Sequence, residues 1–117
     1  MTDVDILAIA AHRDDVELTC GGTLIKSARQ GRITAIIDLT AGETGTRGSA
    51  ELRGREADAA SKILGVRERI NLGLPDAGLT NTPETRALLA VEIRRLRPRI
   101  VIAPCLHGRH PDHIVAA

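Results

Sequence analysis

DILAIAA, residues 5–11, is an apolar run behind a single acid, and it leads directly into His12-Arg13-Asp14-Asp15-Val16-Glu17. A strand with one wet face alternates polar and apolar residues. A run apolar at every following position fits a strand covered on both faces, as in parallel sheets. Residues 100–103 (IVIA) repeat the pattern near the other end of the chain, closed by Pro104 and followed by His107-Gly108-Arg109-His110-Pro111-Asp112-His113.

Working outward, Leu18, Gly21, Ile25 and Ala28 recur at helical spacing and predict a helix over 18–30, with Gly31 as its stop. Residues 33–39 (ITAIIDL) read as a second buried strand, and 40–50 as a Gly- and Thr-rich loop. Ser49 can cap a further helix with Glu51 in its first turn, and Leu52, Ala59, Ala60, Ile63 and Leu64 form its apolar stripe up to Gly65. A short third strand is expected over 69–72. Thr82 and Pro83 then mark a helix start, with Leu89, Ile93 and Leu96 facing the core, and Pro98 ends it before the fourth buried strand.

The order βαβαβαβ argues an α/β fold: a Rossmann-like, doubly wound parallel sheet of strand order 3-2-1-4 with right-handed crossovers. The first and fourth strands are then neighbours, and ligands of open α/β sheets bind beyond the carboxyl ends at that switch point. The two polar clusters fall there together. Residues 1–117 are expected to form a single domain. Its last residues, HPDHIVAA, stop without a helix cap, as the N-terminal part of a longer domain would.

Composition narrows the function classes. Lys and Arg number 16 against 15 Asp and Glu, which leaves no electrostatic footprint for nucleic acid or an acidic membrane. Phe, Tyr and Trp are absent, so there is no platform for stacking bases. The acidic N-terminus does not resemble a signal peptide, and no apolar run approaches the roughly 18 residues of a membrane span, so a cytoplasmic location is expected. Cys20 and Cys105 are too few and too far apart for a disulfide framework and are expected to be reduced. The oligomeric state is open, homo-oligomers included.

A catalytic zinc site uses three imidazole or carboxylate ligands and an open position for water. His12, Asp15 and one downstream histidine satisfy this, whereas the competing reading makes the two loops a solvated rim with Asp14 or Asp15 capping a helix. Metal chemistry would need a nearby carboxylate to accept a proton from attacking water, and Asp14 is placed for it. His110 could stabilise the developing oxyanion, or merely pack the loop.

The run Ala11–Glu17, AHRDDVE, resembles the opening motif of the LmbE-like or PIG-L-type N-deacetylases, with Arg13 where that motif has proline. His110-Pro111-Asp112-His113 resembles the family's second motif, in the expected order. The resemblance implies Zn2+ held by His12, Asp15 and His113, Asp14 as general base, and His110 as the group that polarises the carbonyl or protonates the leaving amine. It also implies a small amino-sugar glycoside as substrate.

Residues 39–57 and 71–76 further resemble the bacterial N-acetylglucosaminyl-malate deacetylases of bacillithiol synthesis. On that resemblance Arg53, Arg47 or Arg109 would meet the malate carboxylates, Arg53 foremost, and Glu43 and Asp76 would accept hydrogen bonds from sugar hydroxyls. Two rivals remain at the level of sequence. One is another metal-dependent hydrolase, such as a phosphoesterase; the other is a non-catalytic metal-binding α/β module.

Overall fold

The computed structural model describes residues 3–41, 50–105 and 108–117. Four strands, β1 (Val4–Ala10), β2 (Thr34–Thr40), β3 (Glu68–Leu74) and β4 (Pro98–Ile102), alternate with helices α1 (Asp15–Arg29), α2 (Ala50–Leu64), α3 (Pro83–Leu96) and α4 (Pro111–Ala116). The sheet order is β3-β2-β1-β4, and each pairing is parallel. This is the expected doubly wound topology.

The central strands divide their side chains by the period of two that a pleated backbone imposes. Leu7 and Ile9 of β1, with Ile37 and Leu39 of β2, join Leu96 in one buried cluster, against which Leu89, Ile93 and Val115 also pack. Ala8, Ala10 and Ile36 point the other way, onto Val16 and Leu24 of α1 and Leu64 of α2. Helices α1 and α2 therefore cover one face, and α3 and α4 the other.

Three expectations need correction. The buried face of α1 is Val16, Gly21 and Leu24, while Leu18 is 80% exposed. Non-helical backbone at Cys20 (φ −136°) kinks this helix, and Leu18, before the kink, falls off the face on which Gly21 is buried and Ile25 packs against the core. In α2 Leu52, Ala59 and Ile63 of the expected stripe are exposed, whereas Leu64, and Ala57 outside that stripe, are buried. Strand β4 is not covered on both faces: Ile100 and Val101, on opposite faces, are exposed, and among the described residues β4 pairs only with β1.

The start of α3 follows its sequence signals. Thr82 is the N-cap, its hydroxyl accepting from the Thr85 amide while the Thr85 hydroxyl accepts from the Thr82 amide, and Pro83 occupies the first turn. No helix among the described residues is long and apolar enough to cross a membrane.

Candidate metal centre

Beyond the carboxyl ends of β1 and β4 the two motif loops meet. Asp15 Oδ2 lies 3.4 Å from His12 Nδ1 and 3.0 Å from His113 Nε2. It also accepts the His12 backbone N–H at 3.0 Å, which holds the carboxylate against the loop. Donor atoms about 2.0–2.2 Å from a tetrahedral zinc stand about 3.3–3.6 Å apart. The three side chains thus already offer one atom each at nearly the spacing an ion requires, with all three atoms within 4.8 Å of one another. The donor set fits zinc.

Local backbone explains why adjacent aspartates face different ways. Asp14 is the N-cap of α1 but adopts φ 96°, in the left-handed region, and makes no side-chain cap hydrogen bond. A non-glycine residue there is strained, as residues at functional sites often are. Its carboxylate instead faces Arg53, whose Nη2 is 3.5 Å from Asp14 Oδ2. Partial burial pushes the Asp14 carboxyl above its ordinary value, the Asp15 charge adds to this, and Arg53 pulls it back.

Helix α4, absent from the sequence reading, places the downstream histidines. His110 is its N-cap: Nδ1 accepts the Asp112 backbone N–H at 3.0 Å, and Pro111 follows in the first turn. With Nδ1 an acceptor, neutral His110 carries its hydrogen on Nε2. The three imidazoles cluster, His110 lying 4.7 Å from His12 and 5.2 Å from His113 between ring centroids.

Asp112 was not singled out from the sequence, although it stands between the two histidines of the second motif. It is 1% exposed, and its Oδ2 lies 3.0 Å from His12 Nε2. The same oxygen accepts from Ala77 N at 2.7 Å, and Oδ1 from Leu79 N at 3.2 Å. Asp76, for which contact with sugar hydroxyls is expected, places Oδ1 2.9 Å from His12 Nε2.

Of the other expected substrate contacts, Arg53 reaches the site through Asp14. Arg109 is exposed and has no described contact with the cluster. Glu43 and Arg47 lie outside the described residues. Arg13, in place of the motif's proline, lays its guanidinium over α2: a Cβ on Gly54 would come within 3.0 Å of Arg13 Nη1, so glycine there makes room for it.

A polar cleft of about 200 Å3 runs beside Arg13, Asp14, Glu17, Arg53 and Glu56. A larger apolar cavity of about 370 Å3 opens on Asp15 and His113, between α1 and the end of β4.

The family model described as GlcNAc-PI de-N-acetylase (PIG-L) matches residues 7–117. A 1D-myo-inositol 2-acetamido-2-deoxy-alpha-D-glucopyranoside deacetylase of Nakamurella multipartita is 33% identical over 148 aligned positions, covering 93% of this chain and 50% of that protein. Among solved structures, a conserved protein from Thermus thermophilus superposes with a TM-score of 0.91 at 52% identity, over 99% of this chain and 52% of that one. N,N'-diacetylchitobiose deacetylase from Pyrococcus horikoshii follows with 0.89 and 30%, over 96% and 46%. The chain spans about half the length of these relatives. Their names carry inositol and chitobiose where the sequence reading expected malate. The match over nearly the whole chain and the likeness of fold lead to one conclusion: this chain belongs to the GlcNAc-PI de-N-acetylase (PIG-L) family.

Proposed function

We propose that this chain carries the metal centre of a zinc-dependent N-deacetylase, which hydrolyses the acetamide of an N-acetylglucosamine conjugate to acetate and a free amine. The observation that carries the reading is the spacing of His12 Nδ1, Asp15 Oδ2 and His113 Nε2. Zinc, when bound, supplies Lewis acidity towards the amide carbonyl and makes water acidic enough to attack near neutral pH.

The protein's own groups do the rest. Asp14, held beside the ligands yet not engaged as a helix cap, accepts the proton of the attacking water and returns it to the departing nitrogen. His110, with its hydrogen on Nε2, donates to the carbonyl oxygen as negative charge builds there. The polar cleft with Arg13, Arg53 and Glu56 suits hydroxyls and carboxylates of the conjugate, and on the family resemblance Glu43, Arg47 and Arg109 are further candidates for contact with it.

For the aglycone, the resemblance of residues 39–57 and 71–76 to the malate branch favours malate, while the inositol named for several relatives weighs more heavily and makes inositol the first choice. Malate is the second. The test is elemental analysis of the purified protein together with acetate release from malate, inositol and chitobiose conjugates, against a set of phosphate esters. Bound zinc with acetate release supports the reading. Phosphate release without acetate release would replace it with a phosphoesterase, and zinc without any turnover would leave a binding module.

A further inference from the structure

Two carboxylates converge on a single ring nitrogen. Asp76 Oδ1 and Asp112 Oδ2 stand 2.9 and 3.0 Å from His12 Nε2, and both side chains are almost fully buried. A neutral imidazole has one N–H. If His12 offers its Nδ1 lone pair to an ion beside Asp15 and His113, that hydrogen sits on Nε2, between the two acids.

We propose that Asp76 is a positioning residue that, with Asp112, clamps His12 in the Nε2–H form, so that Nδ1 faces the metal. This rests on the metal reading above. One carboxylate would select the tautomer. Two, one from the loop after β3 and one from the first turn of α4, also fix the plane of the ring, because a ring turned over would put carbon where both oxygens now receive the N–H.

The loop that brings Asp76 is itself held by Asp112. Ala77 adopts φ 58°, a left-handed conformation unfavourable for alanine, and its N–H is held by Asp112 Oδ2. Loops after β1, β3 and β4 are thereby joined at one imidazole. The side chain of Asp76 is 5% exposed, which sets it apart from a residue waiting for a sugar hydroxyl.

The test uses two readouts. In metal-free protein labelled with 15N-histidine, long-range NMR should show His12 as the Nε2–H tautomer, with the Nδ1–H form appearing in Asp76→Ala. In Co2+ titrations, Asp76→Ala should bind about 10–100-fold more weakly than wild type. Asp76→Asn keeps a neutral acceptor oxygen and should lose only about three- to tenfold, a partial rescue. Wild-type affinity and an unchanged tautomer in Asp76→Ala would overturn the proposal, as would a raised KM with metal binding intact, which would mark a sugar contact. Should Asp76→Ala fail to fold, Asp76→Asn decides by the same measurements, no loss of affinity being the adverse result. Failure of the metal reading is distinct: wild type would take up no Co2+, or His113→Ala would take up as much. The tautomer in metal-free protein then judges the clamp alone.

Discussion

Arg69 on β3 grips Asp38 on β2 through two parallel hydrogen bonds, Nε to Oδ2 at 2.6 Å and Nη2 to Oδ1 at 3.0 Å. The same guanidinium lies 3.0 Å from Glu17 of α1, so one buried cation ties the helix that carries Asp15 to two strands of the sheet. Burial pushes the Asp38 carboxyl above its ordinary value, and Arg69 opposes that push.

Arg69→Met should therefore destabilise the fold by about 3–5 kcal/mol at neutral pH, because it strands a buried charge. The sign with pH follows from a folded pKa raised above the unfolded value, which favours the protonated acid in the folded state. The cost of ionising Asp38 is absent below the unfolded value near about 3.9 and grows as pH rises through the folded one. Without Arg69 the folded value rises further. Urea unfolding at pH 5 and 7 should show the larger deficit at pH 7, and equal deficits would remove Asp38 from the explanation.

Asp14 and Asp15, adjacent in sequence, should respond differently to the same change. Asp15→Asn should weaken zinc binding, with excess zinc restoring part of the activity, since an amide oxygen is a poorer ligand than a carboxylate. Asp14→Asn should keep zinc and fold yet lose about 10²–10⁴-fold in kcat, with no recovery on adding zinc. The reverse pattern would exchange the two roles.

Arg53→Ala should raise KM for an anionic conjugate such as the malate glycoside well above its effect on neutral N-acetylglucosamine. A charge-assisted contact of about 1.5–3 kcal/mol exists only when the carboxylate is present. Equal effects on both substrates would confine Arg53 to its contact with Asp14.

Two glycines make a contrast in stability. Gly65 has φ +72°, and a Cβ there would meet Ala28 Cβ at 3.1 Å, so Gly65→Ala should cost about 1 kcal/mol or more. Gly22 sits within α1 with nothing within 4 Å of an added Cβ, so Gly22→Ala should stabilise by about 0.5–1 kcal/mol. Paired thermal melts decide.

The strands and their order were legible because apolar runs such as residues 5–11 carry the information locally, and the crossover rule leaves few topologies. Coverage was not: the run at 100–103 looks like 5–11, yet whether a strand is central or an edge depends on partners elsewhere. Helix α1 begins at Asp15, within the run read as a ligand loop, and the only sign of its kink at Cys20 is the Gly21-Gly22 pair that follows. Pro111 and Asp112 are ordinary signals for the first turn of a helix, but they stand in a motif whose residues also carry chemistry, and histidine is an uncommon N-cap. The metal triad could be proposed from residue types and spacing. The turn of Asp76 and Asp112 onto one nitrogen is a three-dimensional fact that no spacing in the chain reports.

His12 and Asp112 are separated by 100 positions yet share a hydrogen bond. On the proposed ligand set, His12 and Asp15 lie three positions apart, but His113 joins them only once β4 has docked beside β1, so the entropic cost of closing so long a loop falls on folding of the chain. In this respect the centre is the opposite of a zinc finger, whose clustered ligands let the ion organise an otherwise unfolded chain. A chain still emerging from the ribosome has no complete site until His113 is out. On that ligand set the ion would enter a finished scaffold, and a chelator should strip it while leaving the sheet standing.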